Sequence, residues 1–389
     1  MSQFQLLVYD LQSTPVFRGD LAAGGEGLYP AQHVSISNIL PGGNEACSFR
    51  LPISGSPWAM PAILGKFYEL RVLDAESIFW IGRMEDFKLH IGRDGMYWDV
   101  TAYGYGVNLD DQAYTAQNVA GVATGTIADN AITNLTQKIG ARSVTATSVS
   151  ISAATAVNLK LLKASVVVNW AAKFGDSAFN PQIWYVYPDA DATVRFTFKD
   201  RPATPDLYIS AQDMDLLDFG LLGRQLGNRV IVQYNDGASA VTRNNTALQG
   251  AGPNGWNFIK AVNVFAPEIT QSADANQLGD AVLQKVQTTY MFASNVSLRP
   301  NARIVDSNGQ LVKPWRVKAG QLVQLTDIIP AEGALTNLTF NNSFLVARVA
   351  WDEDRQALSL TPESQEPTIY SIVAQAKSVL AGRHTVQAR

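Results

Sequence analysis

The histidines are the first residues to consider for catalysis or metal binding, and the chain has three of them: His33, His90 and His384. No two stand at a spacing such as HExxH, which places two imidazoles on one helix face to hold a metal ion. His33 and His90 fall within strand-like stretches, and a catalytic histidine needs a positioned partner that the sequence does not indicate. The histidines therefore predict neither a metal site nor a catalytic base.

Acidic residues form three short groups that could supply paired catalytic carboxyls: Asp110-Asp111, Asp213 with Asp215, and Asp352-Glu353-Asp354. A glycosidase needs two carboxyl groups at a defined separation, whereas each group here stands in a turn-like context that favours aspartate for local backbone hydrogen bonds. No run has the alternating Asp/Asn ligands of a calcium loop. We interpret these acids as turn residues and predict no catalytic residue, no metal and no cofactor.

Motifs for a nucleophile or a phosphate site are also missing. Cys47 is the only cysteine, so we expect a buried structural thiol rather than a disulfide framework or a cysteine-rich metal site. Gly104-Tyr105-Gly106 lacks the Lys-Ser/Thr and the βαβ context of a phosphate loop. Ser54-Gly55-Ser56 lacks the GxSxG order of a nucleophile elbow.

Tryptophans could instead form a sugar-stacking surface, and the chain has eight: Trp58, Trp80, Trp98, Trp170, Trp184, Trp256, Trp315 and Trp351. Most of them fall within strand-like or helix-like stretches, where packing in a core or an interface is their usual fate. An exposed row of tryptophans would favour a carbohydrate-binding protein, and that alternative stays open.

Size and charge limit the classes of function. A chain of 389 residues is longer than one ordinary hydrophobic core supports, so two or more folded units are expected. The net charge of −4 argues against a basic face that grips DNA, although a negative chain could line a passage through which DNA slides. The N-terminus has no signal-peptide pattern and no stretch matches a membrane helix, so we expect a soluble chain made in a cytoplasm.

Strand-like stretches separated by Gly-, Pro- and Asp-containing turns fill the first hundred residues: 4–9, 33–39, 46–51, 67–73, 77–83, 87–91 and 96–103. Short strands at this spacing are typical of a barrel or sandwich. We assign residues 1–108 to a first β-barrel. Residues 109–200 follow as an α/β insertion, because 126–139 and 158–174 have apolar residues at helical spacing.

The stretch RQLGNRVIVQYND, residues 224–236, combines a β-branched run with a turn signal and predicts a strand. We assign residues 201–237 and 300–365 to a second β-barrel. Residues 238–299 are predicted as an insertion, with an exposed loop over 238–255 and one helix over 272–289 that Ser272 caps. The predicted fold is therefore mainly β with α/β insertions: two similar antiparallel β-barrel domains plus helical insertion segments.

Residues 366–389 form a tail with a short amphipathic helix. Its apolar stripe is the predicted partner-docking surface: Ile369, Ile372, Val373, Ala376, Val379 and Leu380. A helix this short is marginal in water by itself, so we expect it to dock on its own barrel or in a groove of a neighbouring protein.

Several stretches, taken in order, carry a resemblance to a known family: FWIGR at 79–83, WDVTAYG at 98–104, WYVYPD at 184–189, LGNRVIVQY at 226–234 and WRVKAGQLV at 315–323. Together they resemble the tail hub proteins of long-tailed bacteriophages, which form a ring at the end of the tail tube. In that resemblance 98–104 closes the first barrel, and 226–234 re-enters the sheet to start the second.

The resemblance implies a structural ring subunit of the virion's tail tip or baseplate, without catalytic residues or cofactors. Two similar barrels per chain would let three chains imitate a six-fold tube, so a homotrimer is expected, with a hexamer as the alternative. The implied partners are the tube or distal tail protein, the tip or spike protein and the tape measure protein. DNA would pass through the ring without sequence-specific binding, and the chain would not insert in a membrane.

Other functions remain open from the sequence. The same strand pattern would suit a hexameric distal tail or tube protein, which its mass in solution would distinguish. A receptor-binding or carbohydrate-binding tail protein is a second alternative. A cell-wall hydrolase ranks last, because the sequence offers no paired catalytic groups.

Overall fold

The computed structural model describes residues 4–16, 29–30, 32–52, 64–75, 77–93, 95–114, 122–133, 138–147, 162–174, 181–221, 226–252, 255–266, 272–287, 290–328, 339–340 and 342–363. Within these ranges strands predominate, and helices are confined to two insertions and a few short turns.

The first hundred residues supply one part of a large main sheet: β1 (Gln5–Tyr9), β2 (Tyr29–Pro30), β3 (Gln32–Ile39), β4 (Gly42–Pro52), β5 (Glu69–Leu73), β6 (Ile78–Gly92) and β7 (Gly95–Gly104). They pair antiparallel in the order β2–β1–β5–β6–β7–β4–β3. In β1, Leu6 and Val8 are buried and Leu7 is not, as the two-residue repeat of a strand requires.

The insertion that follows β7 is an α/β unit: α1 (Asn108–Asp111), α2 (Thr124–Ile132), β8 (Ala141–Val144), α3 (Ala164–Phe174), β9 (Ile183–Pro188) and β10 (Val194–Lys199). Strand β10 runs antiparallel to β9 and parallel to β8. Buried residues of α2 and α3, such as Ile127 and Val167, pack with Phe196 and Phe198 of β10 in a separate apolar core. The parallel pairs Gly42–Tyr185 and Gly43–Val186 join β9 to β4.

After the insertion come β11 (Leu207–Ser210), β12 (Met214–Leu221) and a small unit made of β13 (Arg229–Tyr234), β14 (Ser239–Asn244), α4 (Thr246–Gln249), β15 (Ala261–Ala266) and α5 (Ser272–Val286). In the small unit β13 lies between antiparallel β14 and parallel β15. Leu278 and Val282 of α5 pack on Val230 and Val232 of β13, so the small unit has its own core.

The rest of the main sheet comes from β16 (Tyr290–Leu298), β17 (Ile304–Asp306), β18 (Leu311–Val312), β19 (Leu322–Thr326), β20 (Thr339–Phe340), β21 (Ser343–Asp352) and β22 (Ala357–Pro362). One row of strands runs β12–β16–β22–β21 and continues into β3. A second row runs β18–β17–β11–β19 and ends on the first residues of β21. Strand β21 therefore belongs to both rows and connects the two halves of the chain.

A single apolar core fills the space between the two halves. Phe4 of the first half lies 5.3 Å from Trp315 of the second, ring centre to ring centre, and Trp315 lies 5.6 Å from Trp351. Buried strand residues from both halves join this cluster. The mainly β fold with α/β insertions that the sequence predicts is confirmed, and its two strand groups share one core.

One strand assignment from the sequence is wrong. Residues 226–234 do not re-enter the main sheet, because β13 is the central strand of the separate small unit. Its alternating residues Val230 and Val232 are buried under α5. The main-sheet positions on either side of the small unit belong to β12 and β16, which pair with each other.

The segment 238–255, predicted as an exposed loop, contains β14 and α4. Asn235 and Asp236 have φ of 52° and 57°, followed by Gly237 at 85°. A turn with successive positive φ values directs the chain back along β13, so the polar residues that follow form a hairpin strand. The side chain of Asn245 then caps α4 by accepting a hydrogen bond from the Leu248 amide at 3.1 Å.

The three longer helices coincide with the helical patterns of the sequence, with different ends. Helix α2 covers 124–132 against a predicted 126–139, of which 134–137 lie outside the described residues. Helix α3 begins at Ala164, and the predicted start at 158 is likewise not described. Helix α5 ends at Val286, three residues before the predicted end.

A buried carboxylate lies where the main sheet meets the α/β insertion. Glu69 of β5 lies 2.6 Å from the Arg71 guanidinium, accepts a hydrogen bond from the Tyr105 hydroxyl at 2.8 Å and lies 3.4 Å from the Lys138 ammonium. Burial acts to raise the pKa of Glu69. The charges of Arg71 and Lys138 and the hydrogen bonds outweigh burial, so the pKa lies below its ordinary value.

This lowered pKa predicts acid-sensitive folding. Because the pKa of Glu69 is lower in the folded than in the unfolded chain, its stabilising contribution is present above about pH 5 and is lost as the pH falls below about 4.3. The Glu69→Gln variant lacks this contribution. We expect the stability gap between wild type and Glu69→Gln to be widest at neutral pH and to shrink in acid, as measured by urea unfolding over a pH series. A gap of constant size down to about pH 3 would contradict this role.

Candidate functional site

The structure does not bring the histidines together. His33 Nδ1 lies 2.5 Å from Asp354 Oδ2, in the turn after β21. His90 Nε2 lies 2.9 Å from Asp99 Oδ2 on the neighbouring strand and stacks on Tyr97. His384 lies outside the described residues. Each described histidine thus contacts one aspartate on the main sheet.

The acidic groups considered as catalytic carboxyls lie on separate elements. Each makes a local contact, either with a backbone amide or with one side chain: Ser165 for Asp110, Arg83 for Asp111, the Arg303 amide for Asp213, Arg299 for Asp215, the Arg355 amide for Asp352 and the Val34 amide for Glu353. These contacts fasten turns and neighbouring strands to one another.

The cysteine and the tryptophans are mostly internal. Cys47 is fully buried, and burial raises the pKa of its thiol. Trp80, Trp184 and Trp351 are buried, and the other described tryptophans are partly buried, whereas Trp58 is not described. The described tryptophans therefore form no exposed row on which a sugar could stack.

The described residues offer neither a metal site nor a membrane-spanning helix. Those residues hold no cluster of three or more histidine, cysteine or acidic side chains placed to share a metal ion. None of the described helices is long and apolar enough to cross a membrane. The predicted docking stripe of the tail, residues 369–380, lies outside the described residues, and its role stays a prediction.

A cleft of about 280 Å³ opens between the α/β insertion and the loop that precedes β19. Its walls come from β9, β10, the turn between them, the residue before β11 and the loop 318–321: Tyr185, Tyr187, Pro188, Asp189, Arg195, Thr197, Lys199, Asp206, Lys318, Ala319, Gly320 and Gln321. The Tyr187 hydroxyl donates a hydrogen bond to the Ala319 carbonyl at 3.1 Å, which ties β9 to this loop. Gly320 has φ of +89°, and a Cβ there would lie 3.2 Å from the Tyr185 ring.

The charges in the cleft are unevenly paired. Arg195 is held by Asp189 at 2.7 Å, whereas no acidic side chain among the described residues lies within 4 Å of the Lys199 or Lys318 ammonium. Lys199 Nζ lies 5.6 Å from the centre of the Tyr185 ring, and Lys318 Nζ lies 4.9 Å from that of Tyr187.

Lys318 is the more constrained of these two cations. Burial lowers the pKa of its ammonium, the charge of Arg316 lowers it further, and Asp189 partly offsets both effects. Lys318 is therefore a half-buried cation on which the Asp189 carboxylate acts through space, without a direct contact.

A second polar contact joins the two halves of the main sheet. Asp74, in the turn after β5, has a side chain only 6% exposed. It accepts hydrogen bonds from Arg316 at 2.6 and 2.8 Å and from the Trp315 indole nitrogen at 2.8 Å. We call Asp74, Trp315 and Arg316 the clasp, because they connect residues more than two hundred positions apart.

The small unit presents large apolar side chains to solvent. Phe258, Ile259 and Phe265 are each more than half exposed. Burial along β15 alternates strictly, so Phe265 lies on the face opposite α5. Exposed aromatic side chains of this kind are typical of surfaces that contact other proteins.

The fold described above, a mainly β chain with α/β insertions between its strand groups, is similar to that of solved tail proteins. Comparison of the sequence with protein-family models and with curated proteins finds no match. Solved structures do match, and three of them match over nearly their whole length.

Three of these structures are tail proteins. The tail protein from Neisseria meningitidis MC58 superposes with a TM-score of 0.56 at 10% identity, over 95% of this chain and 99% of its own. The 43 kDa tail protein of prophage MuSo2 from Shewanella oneidensis gives 0.57 at 10% identity, over 97% and 99%. The prophage tail protein gp18 from Listeria monocytogenes EGD-e gives 0.52 at 11% identity, over 97% and 99%. The sequence-based resemblance to tail hub proteins is thereby confirmed at the level of the fold.

Sequence reasoning missed the cleft and the clasp. Several of their residues lie in the stretches 184–189 and 315–323 that carry the resemblance, but their residue types indicate no site there. The one local signal is the alternation of Tyr185 and Tyr187, which places both rings on the same face of β9. Lys318 and Asp74 come from distant parts of the chain, so no spacing could have indicated them.

Proposed function

We propose that this protein is a structural subunit of a bacteriophage tail tip or baseplate, a hub whose copies form a ring between the tail tube and the tip or spike. The supporting observation is the extent of the fold match. At least 95% of this chain and 99% of each of three tail proteins superpose, so the likeness includes the insertions and not only a common β core.

The ring is inferred from the surface and the internal organisation of the chain. Two strand groups that share one sheet give each subunit two flanks, which would let three copies meet a six-fold tube. Exposed Phe258, Ile259 and Phe265 offer apolar area for contacts with the same chain or with other tail proteins. The net charge of −4 suits a channel that DNA traverses without adhering.

The role is structural rather than enzymatic in this proposal. The candidate histidines and carboxylates each contact a local partner on separate elements, whereas hydrolysis needs a nucleophile or paired acids aimed at one point. The expected partners are the tube or distal tail protein, the tip or spike protein and the tape measure protein, and the expected location is the virion.

The oligomeric state tests this proposal. We expect the purified full-length protein to form a closed ring of three copies, measured as mass by sedimentation or light scattering over a range of concentrations. An image of the intact tail should place the chain on the symmetry axis at the tip. Six copies per ring would favour the distal tail or tube alternative, and a chain found away from the axis would overturn the hub assignment.

A further inference from the structure

We propose that the cleft between the α/β insertion and the loop 318–321 is a carboxylate-binding site, which receives an acidic side chain from a neighbouring protein chain in the assembled tail. The inference rests on the proposed structural function, because the carboxylate is supplied by an adjoining subunit. Lys318 and Lys199 would bind it.

The two ammonium groups lie over a pair of adjacent tyrosine rings. Lys199 and Lys318 lie over Tyr185 and Tyr187, whose own ring centres are 5.0 Å apart. Each ammonium group lies over one of these rings, and all four side chains line the same cleft. Both lysines line the cleft, so a carboxylate that enters it could accept charge-assisted hydrogen bonds from their ammonium groups.

The acidic side chains that line the cleft already have partners. Asp189 is engaged by Arg195, with oxygen to nitrogen distances of 2.7 and 2.8 Å. Asp206 Oδ2 accepts a hydrogen bond from the Leu322 amide at 2.8 Å. Both acids lining the cleft are thus occupied. A half-buried ammonium has lost part of its hydration, so an incoming carboxylate is the group that would restore its missing interactions.

The loop that presents Lys318 is fixed from several sides. The Lys318 amide donates to Gln321 Oε1 at 2.7 Å, and the Gly320 amide donates to the Val346 carbonyl at 2.8 Å. The Ala319 carbonyl accepts the bond from the Tyr187 hydroxyl. A cation on such a loop is preorganised, which lowers the cost of binding.

The size and donors of the cleft favour a protein carboxylate over a cofactor or a nucleic-acid phosphate. A volume of about 280 Å³ falls below the usual range for cofactor sites and suits a single side chain. Phosphate recognition commonly uses a free arginine fork, and Arg195 is occupied by Asp189. The two aspartates at the rim would also repel the continuous charge of a DNA strand.

The test uses the intact protein and a capped tetraglutamate peptide as the probe. We expect saturable binding by calorimetry, with an affinity about tenfold or more lower in Lys318→Gln. Lys88→Gln removes the same charge from an exposed position on β6 and should bind as wild type does. Lys199→Gln provides an independent second variant, and melting temperatures establish that each variant is folded.

Equal binding to wild type and Lys318→Gln, or no binding to wild type, would overturn the proposal, as would equally tight binding of a capped tetraglutamine peptide. Tighter, Lys318-dependent binding of an oligothymidylate would show a phosphate site instead. Ring formation is measured separately, as the mass of the protein in solution. A ring that forms without peptide binding would refute only the carboxylate-binding site, and peptide binding without a ring would refute only the hub role.

Discussion

Gly43→Ala is expected to lower the free energy of unfolding by about 2–6 kcal/mol. Gly43 has φ of +96°, a conformation that costs a residue with a Cβ about 1–3 kcal/mol. Its ideal Cβ would also lie 2.2 Å from the Val186 carbonyl oxygen and 2.5 Å from the Val186 nitrogen. These are backbone atoms of β9, so the overlap can be relieved only by moving β9 away from β4, which adds about 1–3 kcal/mol.

The matched control is Gly95→Ala. Gly95 has φ of +107°, close to that of Gly43, and among the described residues no atom beyond its chain neighbours lies within 4 Å of its ideal Cβ. It should therefore show the conformational cost alone, about 1–3 kcal/mol. Urea unfolding followed by circular dichroism measures both variants. Equal losses for Gly43→Ala and Gly95→Ala would mean that close packing of β4 on β9 does not explain the need for glycine at 43.

The sequence predicts the structural features that depend on residues close together along the chain. Alternation in β1 and β3, helical spacing in α3 and α5, and the Asn235-Asp236-Gly237 turn are local patterns, and each corresponds to an element of the structure. The order of these elements was enough to indicate the tail-protein fold, which the matched structures share.

Pairing between distant strands could not be predicted, and this explains the error at residues 226–234. A β-branched run has the same appearance whether it lies in the main sheet or in a small unit, because both bury one face. The elements that pack against the run determine which sheet it joins, and for β13 these elements are β14, β15 and the apolar face of α5. Lys318, Tyr187 and Lys199 meet in the cleft for the same kind of reason: three separate segments converge there.

Arg316→Met is expected to destabilise the protein by about 3–5 kcal/mol, because it would leave the buried Asp74 carboxylate without its guanidinium. Asp74 is 6% exposed and receives two hydrogen bonds from Arg316. The clasp ties the turn after β5 to the segment before β19, so its loss should weaken the contact between the two halves of the main sheet. Urea unfolding at neutral pH measures the change in stability.

A double-mutant cycle separates this ion pair from simple loss of packing. In Asp74→Leu with Arg316→Met both charges are gone, and replacing both partners of a buried pair with apolar groups is often nearly neutral. The Trp315 indole N–H also loses its acceptor, at a cost of about 1–3 kcal/mol. We therefore expect the double variant to be more stable than Arg316→Met alone, with a coupling energy of about 1–3 kcal/mol.

An exposed pair on the same sheet is the control for the clasp. Arg299 and Asp215 lie 3.3 Å apart, with side chains 60% and 57% exposed, and solvent-exposed pairs contribute at most about 1 kcal/mol. Arg299→Met should therefore change the stability little. If Arg299→Met costs as much stability as Arg316→Met, or if the clasp variants show no coupling energy, burial of Asp74 does not explain the contribution of the clasp. The shared apolar core alone would then hold the two halves together.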